Sequence, residues 1–197
     1  MCVQNNQSFL KSKILDHAKV KVLESGWLDD IPETCSVQAG LDKSIGRILF
    51  PAGTVDIIGF FLYSLDYQML ESYKLYDSSN LRTHEKIKLC LSIIFKLMLE
   101  NKILFRATFK KLLSTSCYLT GIRYLWRTVD LIWSEAGVDT STDFNFYTKR
   151  SLLAGIYTSI ALKLLYSRNE QDVDALIDRG IELSSVIKNF KAKFFFS

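Results

Sequence analysis

The chain has 197 residues, 48% of them hydrophobic and 23% charged, with a formal net charge of +4. That size suits one globular domain, and no stretch supplies the ~20 successive apolar residues of a bilayer-spanning helix, which excludes an integral membrane protein. The N-terminal MCVQNNQSFLKSK has neither an apolar signal core nor an Arg-rich transit pattern, so no targeting peptide is expected and the expected compartment is the cytoplasm.

Pro32 and Pro51 are the two prolines, and beyond them apolar residues recur at helical spacing almost to the end, so the predicted fold is all-α. Nine helices are expected, near 8–24, 32–40, 43–50, 54–76, 82–100, 102–115, 118–136, 142–167 and 171–193. DSSN (77–80) and GVDTS (137–141) carry turn chemistry. Cys2, Cys35, Cys90 and Cys117 form no CxxC pair and are expected to be reduced.

The first three helices, through ILDHAKVKVLESGW and AGLDKSIGRILFP, resemble the three-helix module of TetR-type repressors, with Ala39 and Gly40 in the turn and Asp42 opening the second helix of a helix-turn-helix. The charge argues against reading DNA. Six basic residues (Lys11, Lys13, Lys19, Lys21, Lys43, Arg47) balance six acidic ones (Asp16, Glu24, Asp29, Asp30, Glu33, Asp42) up to Phe50, whereas phosphate neutralisation supplies most non-specific affinity. The reading helix DKSIGRILF offers Lys43 and Arg47 but no Asn, Gln or second Arg for base edges. The expected division is a degenerate helix-turn-helix-like module over 1–51 and a helical bundle over 52–197.

Helix four carries Ile58, Phe61, Leu62, Leu65 and Met69 at helical spacing, and helix five carries Ile87, Cys90, Leu91, Ile94, Leu97 and Met98. Such stripes suit a packed core or the wall of a cavity equally. Trp126, Asp130 and Trp133 share one face of helix seven, where the tryptophans suit a pocket wall or the core. Helix eight is apolar on two sides: Leu153, Ile156, Ile160 and Leu164 form one stripe, and Phe144, Ser151, Gly155 and Leu162 lie nearly opposite. A helix of that kind is enclosed in a bundle or shared with a partner subunit.

At its start, STDFNFYTKR places Asp143, Phe146, Tyr147 and Arg150 on one face at i, i+3, i+4 and i+7. Aromatics beside an arginine and an acid have the composition of an interface hot spot, although core aromatics flanked by charges give the same pattern.

WRTVD, the following IW, AG, STDFNFYTKR and LAGIY, together with GWLDD, AGLD and LFPAGTVD, resemble the coenzyme Q (ubiquinone) biosynthesis accessory proteins, the ninth member of the COQ set, over nearly the whole chain. The resemblance implies a TetR-like fold that does not regulate transcription. It further implies a homodimer that binds isoprenoid lipids in an apolar pocket and presents ubiquinone intermediates to the di-iron demethoxyubiquinone hydroxylase. The family's docking surface includes the acid and aromatic pair of STDFNWY, which fall here on Asp143, Phe146 and Tyr147, with Phe146 standing where the family usually has Trp. On the same resemblance the lipid would lie among helices four, five, seven and eight, against Phe61, Leu65, Ile94, Met98 and Trp133.

The tail KNFKAKFFFS mixes Lys188, Lys191 and Lys193 with Phe194 and Phe195, a composition suited to an anionic membrane surface and expected to give peripheral attachment to the inner (cytoplasmic) membrane. Enzymatic chemistry finds no motif: His17 and His84 are far apart, and there is no HExxH, GxSxG or Gly-rich phosphate loop. The expected function is therefore non-enzymatic lipid binding, without catalytic residues, metal or cofactor. The competing expectation is a ligand-responsive transcriptional regulator of the TetR type.

Overall fold

The computed structural model describes residues 2–114, 117–136, 144–166 and 172–182, with backbone alone at 2–5 and 144–145. The described residues form α1 (Cys2–Ser25), α2 (Ile31–Gln38), α3 (Lys43–Leu49), α4 (Thr54–Lys74), α5 (Thr83–Glu100), α6 (Lys102–Leu112), α7 (Tyr118–Ala136) and α8 (Phe144–Tyr166), and are helical again over 173–182. No strand occurs among them, so the all-α expectation holds. The first helix starts at residue 2 rather than near residue 8. Its polar opening QNNQS carries no apolar periodicity to announce a helix, yet contains no proline or glycine to stop one.

Two compact units emerge, one made of residues 1–65 and 101–124 and the other of 66–100 and 125–197. In the first, α1 buries Ile14, Leu15, Ala18 and Val22, the i, i+1, i+4, i+8 stripe of an amphipathic helix, and packs on α2, α3 and α6. Gly26 ends α1 with φ +73° and donates its N–H to Val22 O at 2.9 Å, a left-handed cap that side-chain-bearing residues adopt only with strain. Pro32 sits in the first turn of α2, where its missing N–H leaves nothing unsatisfied. Asp42 caps α3 by accepting from Ser44 N at 2.8 Å.

The close approach of α2 and α3 depends on Gly46. A Cβ there would collide with the carbonyl oxygen of Pro32 and lie 2.6 Å from Ser36 Oγ. Helices α3 and α4 then meet at 65°. Two tertiary bonds close the unit: the buried Trp27 indole donates to Thr108 Oγ1 at 3.0 Å, and Thr54 Oγ1 donates to Leu28 O at 2.5 Å. Phe61 packs on Phe105 with centroids 5.3 Å apart.

In the second unit α5 packs on α8, with Ile87, Cys90, Leu91, Ile94, Phe95 and Met98 buried on α5 and Leu153, Ile160, Ala161, Leu164 and Leu165 on α8. Phe95 and Tyr157 join them at 5.2 Å. The segment 173–182 runs against α8 closely enough that a Cβ on Gly180 would meet Ile156 Cγ2 at 2.8 Å. Its position along α5 is set by two polar pairs one helical turn apart: Lys88 with Asp178 at 2.6 Å, and Ser92 Oγ donating to Asp174 Oδ1 at 2.9 Å. Inside the unit the carboxyl of Asp66, 2% exposed, accepts from Thr128 Oγ1 at 2.9 Å and lies 3.8 Å from Arg127 Nη2. Cys35, Cys90 and Cys117 are buried, and burial pushes the Cys35 thiol up to about 11 and that of Cys90 up to about 12. No single helix among the described residues is long and apolar enough to cross a membrane.

Candidate docking face and apolar interior

Helix α8 begins with the aromatic cluster, and the structure separates residues that periodicity had placed together. Tyr147 is 60% exposed, Phe146 is half-buried, and Arg150, at 4% exposure, is buried. Burying a guanidinium requires a paired charge. Asp130 of α7 supplies it, with Arg150 Nε donating to Asp130 Oδ1 at 2.7 Å. The flat face of the guanidinium covers the Phe146 ring at 3.3 Å from its centroid, a cation–π contact that holds the ring against the helix pair. Phe146 in turn meets Tyr147 edge-on at 5.2 Å.

Trp126 completes the arrangement. It is 37% exposed and stacks on Tyr147 with centroids 6.4 Å apart and planes at 24°. Trp126 and Tyr147 thus form an exposed aromatic pair over the half-buried Phe146 and the buried Arg150, which the exposed Asp130 holds in place. Rigid aromatics resting on a half-buried ion pair, its Arg150 side buried and its Asp130 side exposed, can dock a partner with little loss of side-chain freedom. The sequence had offered Trp126 as a pocket wall or core residue and had not linked it to Tyr147. The available signal was the run Trp126, Asp130, Trp133 on one face of α7, matching the charge and aromatic order of α8. Trp133 is half-buried farther along that face, with Lys149 Nζ 5.7 Å from its ring centroid. Asp143 lies outside the described residues, as do Lys188, Lys191, Lys193, Phe194 and Phe195.

The residues expected to contact a lipid fall in both units. Phe61 and Leu65 are 2% and 4% exposed in the first, and Phe61 contacts Phe105 there. Ile94 and Met98 are 2% and 5% exposed on α5 in the second, which also holds Trp133. The interior of the second unit carries polar atoms of interest. Trp133 Nε1, Tyr73 Oη and Asp66 Oδ2 are shielded from solvent without a hydrogen-bond partner among the described residues. Unpaired buried polar atoms are uncommon in native folds.

In the N-terminal helix pair, one carboxylate engages both cations of α3. Glu33 on α2 binds both basic residues of α3, Lys43 Nζ at 2.9 Å and the guanidinium of Arg47. These two cations hold the Glu33 carboxyl below the usual carboxylate range, Arg47 having the larger effect. Exposed ion pairs contribute little to stability, but here they turn the two cations of the would-be recognition helix toward α2.

Residues 118–187 match the family model described as COQ9. The chain is also 26% identical over 164 residues to the "Probable ubiquinone biosynthesis protein coq9, mitochondrial" of Dictyostelium discoideum, an alignment covering 79% of this chain and 52% of that protein. The chain therefore spans about half the length of the curated relative it matches.

Proposed function

We propose, from the match of residues 118–187 to the COQ9 family model and the likeness to a curated relative, that the chain acts in ubiquinone biosynthesis as a non-enzymatic accessory protein. It binds an isoprenoid quinone intermediate and presents it to the di-iron demethoxyubiquinone hydroxylase. The observation that carries this is the exposed Trp126–Tyr147 pair on the Arg150–Asp130 ion pair, which lies within the matched segment. Phe146 in place of an indole removes one N–H donor from that surface, and Trp126 supplies an exposed indole beside it.

The buried stripes of α5 and α8 offer an apolar lining for a polyprenyl chain, whose transfer from bilayer to protein keeps it out of water throughout. Trp133 Nε1–H and Tyr73 Oη–H are the donors suited to a quinone oxygen. A homodimer sharing the outer face of α8, where Ser151, Gly155 and Leu162 are exposed, fits the same reading. The neutralised α3 cations weigh against the transcriptional regulator.

The test combines mass spectrometry of lipids retained through purification with capture of the hydroxylase. Isoprenoid lipid and captured hydroxylase are the expected results. Tyr147→Ala should weaken capture by at least about tenfold, the loss typical of a hot-spot aromatic, while leaving helicity and lipid content intact. Unchanged capture removes the docking assignment. Tight, salt-sensitive binding to a palindromic DNA site would restore the regulator.

A further inference from the structure

The first unit carries a surface with its own chemistry. Between Glu100 and Asp130 the sequence has no acidic residue and six basic ones, Lys102, Arg106, Lys110, Lys111, Arg123 and Arg127. At the chain's mean of 21 acids in 197 residues, about three would be expected in that span, so the bias is local.

The structure sorts this span into an inner and an outer face. On α6, Leu104, Phe105 and Thr108 are buried, and Thr108 receives the Trp27 indole. Lys111 is held by Asp29 at 3.1 Å. The opposite face of the helix and the turn after it present Ile103 (70% exposed), Arg106, Lys110 and Leu113 (67% exposed), at i, i+3, i+7 and i+10. The first turns of α7 present Tyr118, Leu119, Ile122 and Arg123, also exposed. Leu112 packs at Gly121, where a Cβ would stand 3.4 Å from Leu112 Cβ, so α6 and the start of α7 lie side by side within the first unit.

We infer that this outer α6–α7 face docks onto an anionic lipid bilayer, with Ile103, Leu113, Leu119 and Ile122 entering the headgroup–acyl boundary and Arg106, Lys110 and Arg123 meeting the lipid phosphates. Large aliphatics interleaved with cations and free of acids are the composition of an interfacial helix. Each cation near such a surface adds attraction that decays within a Debye length. A nucleic acid would use the cations but leave the aliphatics without a partner, because base and phosphate recognition calls on polar and aromatic groups. A second copy of the same face would bring like charges together.

The test is flotation of the full-length protein with phosphatidylglycerol–phosphatidylcholine vesicles, compared with phosphatidylcholine alone. Binding is expected on the anionic vesicles only, and should fall as salt rises. Ile103→Ser with Ile122→Ser, and separately Arg106→Gln with Lys110→Gln and Arg123→Gln, should each reduce vesicle partitioning by at least about tenfold with unchanged helicity, while Lys110→Arg retains it. A full-length Lys188→Gln, Lys191→Gln, Lys193→Gln variant separates this face from the tail and should keep measurable binding. The inference is overturned if the α6–α7 variants bind vesicles as the parent does, or if only the tail substitutions abolish binding. It is equally overturned if the variants change the solution mass or nucleic-acid retention instead. Vesicle binding is read without reference to quinone content or hydroxylase capture, so the outcome stands apart from that of the proposed function.

Discussion

Gly46→Ala is expected to destabilise the protein by about 2 to 3 kcal/mol, read as a lowered urea midpoint with an unchanged slope. Two effects of opposite sign compete. Alanine is the better helix former by roughly 1 kcal/mol, and α3 is a short helix that would profit from it. Against this, the new methyl collides with the Pro32 carbonyl oxygen and comes within 2.6 Å of the Pro32 carbonyl carbon and of Ser36 Oγ. Both carbonyl atoms belong to the backbone of α2, and the carbonyl oxygen already accepts from Ser36 Oγ at 2.7 Å. The methyl therefore cannot be accommodated by a side-chain rotation; α3 must move off α2, opening the packing around the buried Ile31 and Cys35. Gly155→Ala is the matched control. It lies mid-helix on α8 with nothing within 4 Å of the added Cβ, and should gain roughly 0.5 to 1 kcal/mol. If both substitutions stabilise alike, the close α2–α3 approach is wrong.

Asp66→Asn is expected to stabilise the protein at pH 7.5 by on the order of 2 kcal/mol, with the advantage vanishing toward pH 4. Burial pushes the Asp66 carboxyl up from 3.8 to about 6, opposed by the Thr128 hydroxyl and by Arg127. Because the folded pKa lies above the unfolded one, the folded state binds the proton more tightly. The resulting stabilisation is complete below about 3.8, declines as pH rises from there through about 6, and is absent above. At neutral pH the fold therefore holds a charged carboxylate in a site that favours the neutral form. Asparagine keeps an acceptor for Thr128 and removes the charge. Arg127 is the competing effect, since removing one member of a tight buried pair is strongly destabilising. Its Nη2 stands 3.8 Å away and its side chain is 39% exposed, so water screens much of that attraction. Thermal or urea unfolding of both forms between pH 4 and 8 decides the matter; a variant less stable than the parent at pH 7.5 means Arg127 prevails.

The helices and their order were legible because they depend on local information. Pro32 and Pro51 both fall in the first 51 residues, and the spacing of apolar residues from Ile57 onward specified one amphipathic helix after another. Of the stripe expected on α8, Leu153, Ile160 and Leu164 are buried and Ile156 is half-buried. The charge balance of the first fifty residues was legible too, although only the folded chain shows Glu33 pairing with both Lys43 and Arg47.

The aromatic cluster of α7 and α8 was legible as composition and illegible as geometry. Periodicity puts Phe146, Tyr147 and Arg150 on one side of a helix, but their separate roles depend on α7, about twenty residues earlier in the chain. Asp130 pairs with Arg150, the guanidinium covers Phe146, and Trp126 stacks on Tyr147. By itself, then, the sequence determined which segments are helical, which side of each is apolar, and where aromatics and charges gather. The tertiary structure alone decided which members of those gatherings face solvent and which support them. A helix's own repeat governs neighbours within two turns, whereas the partner of a buried charge or ring is whichever residue a separate helix brings within a few ångströms.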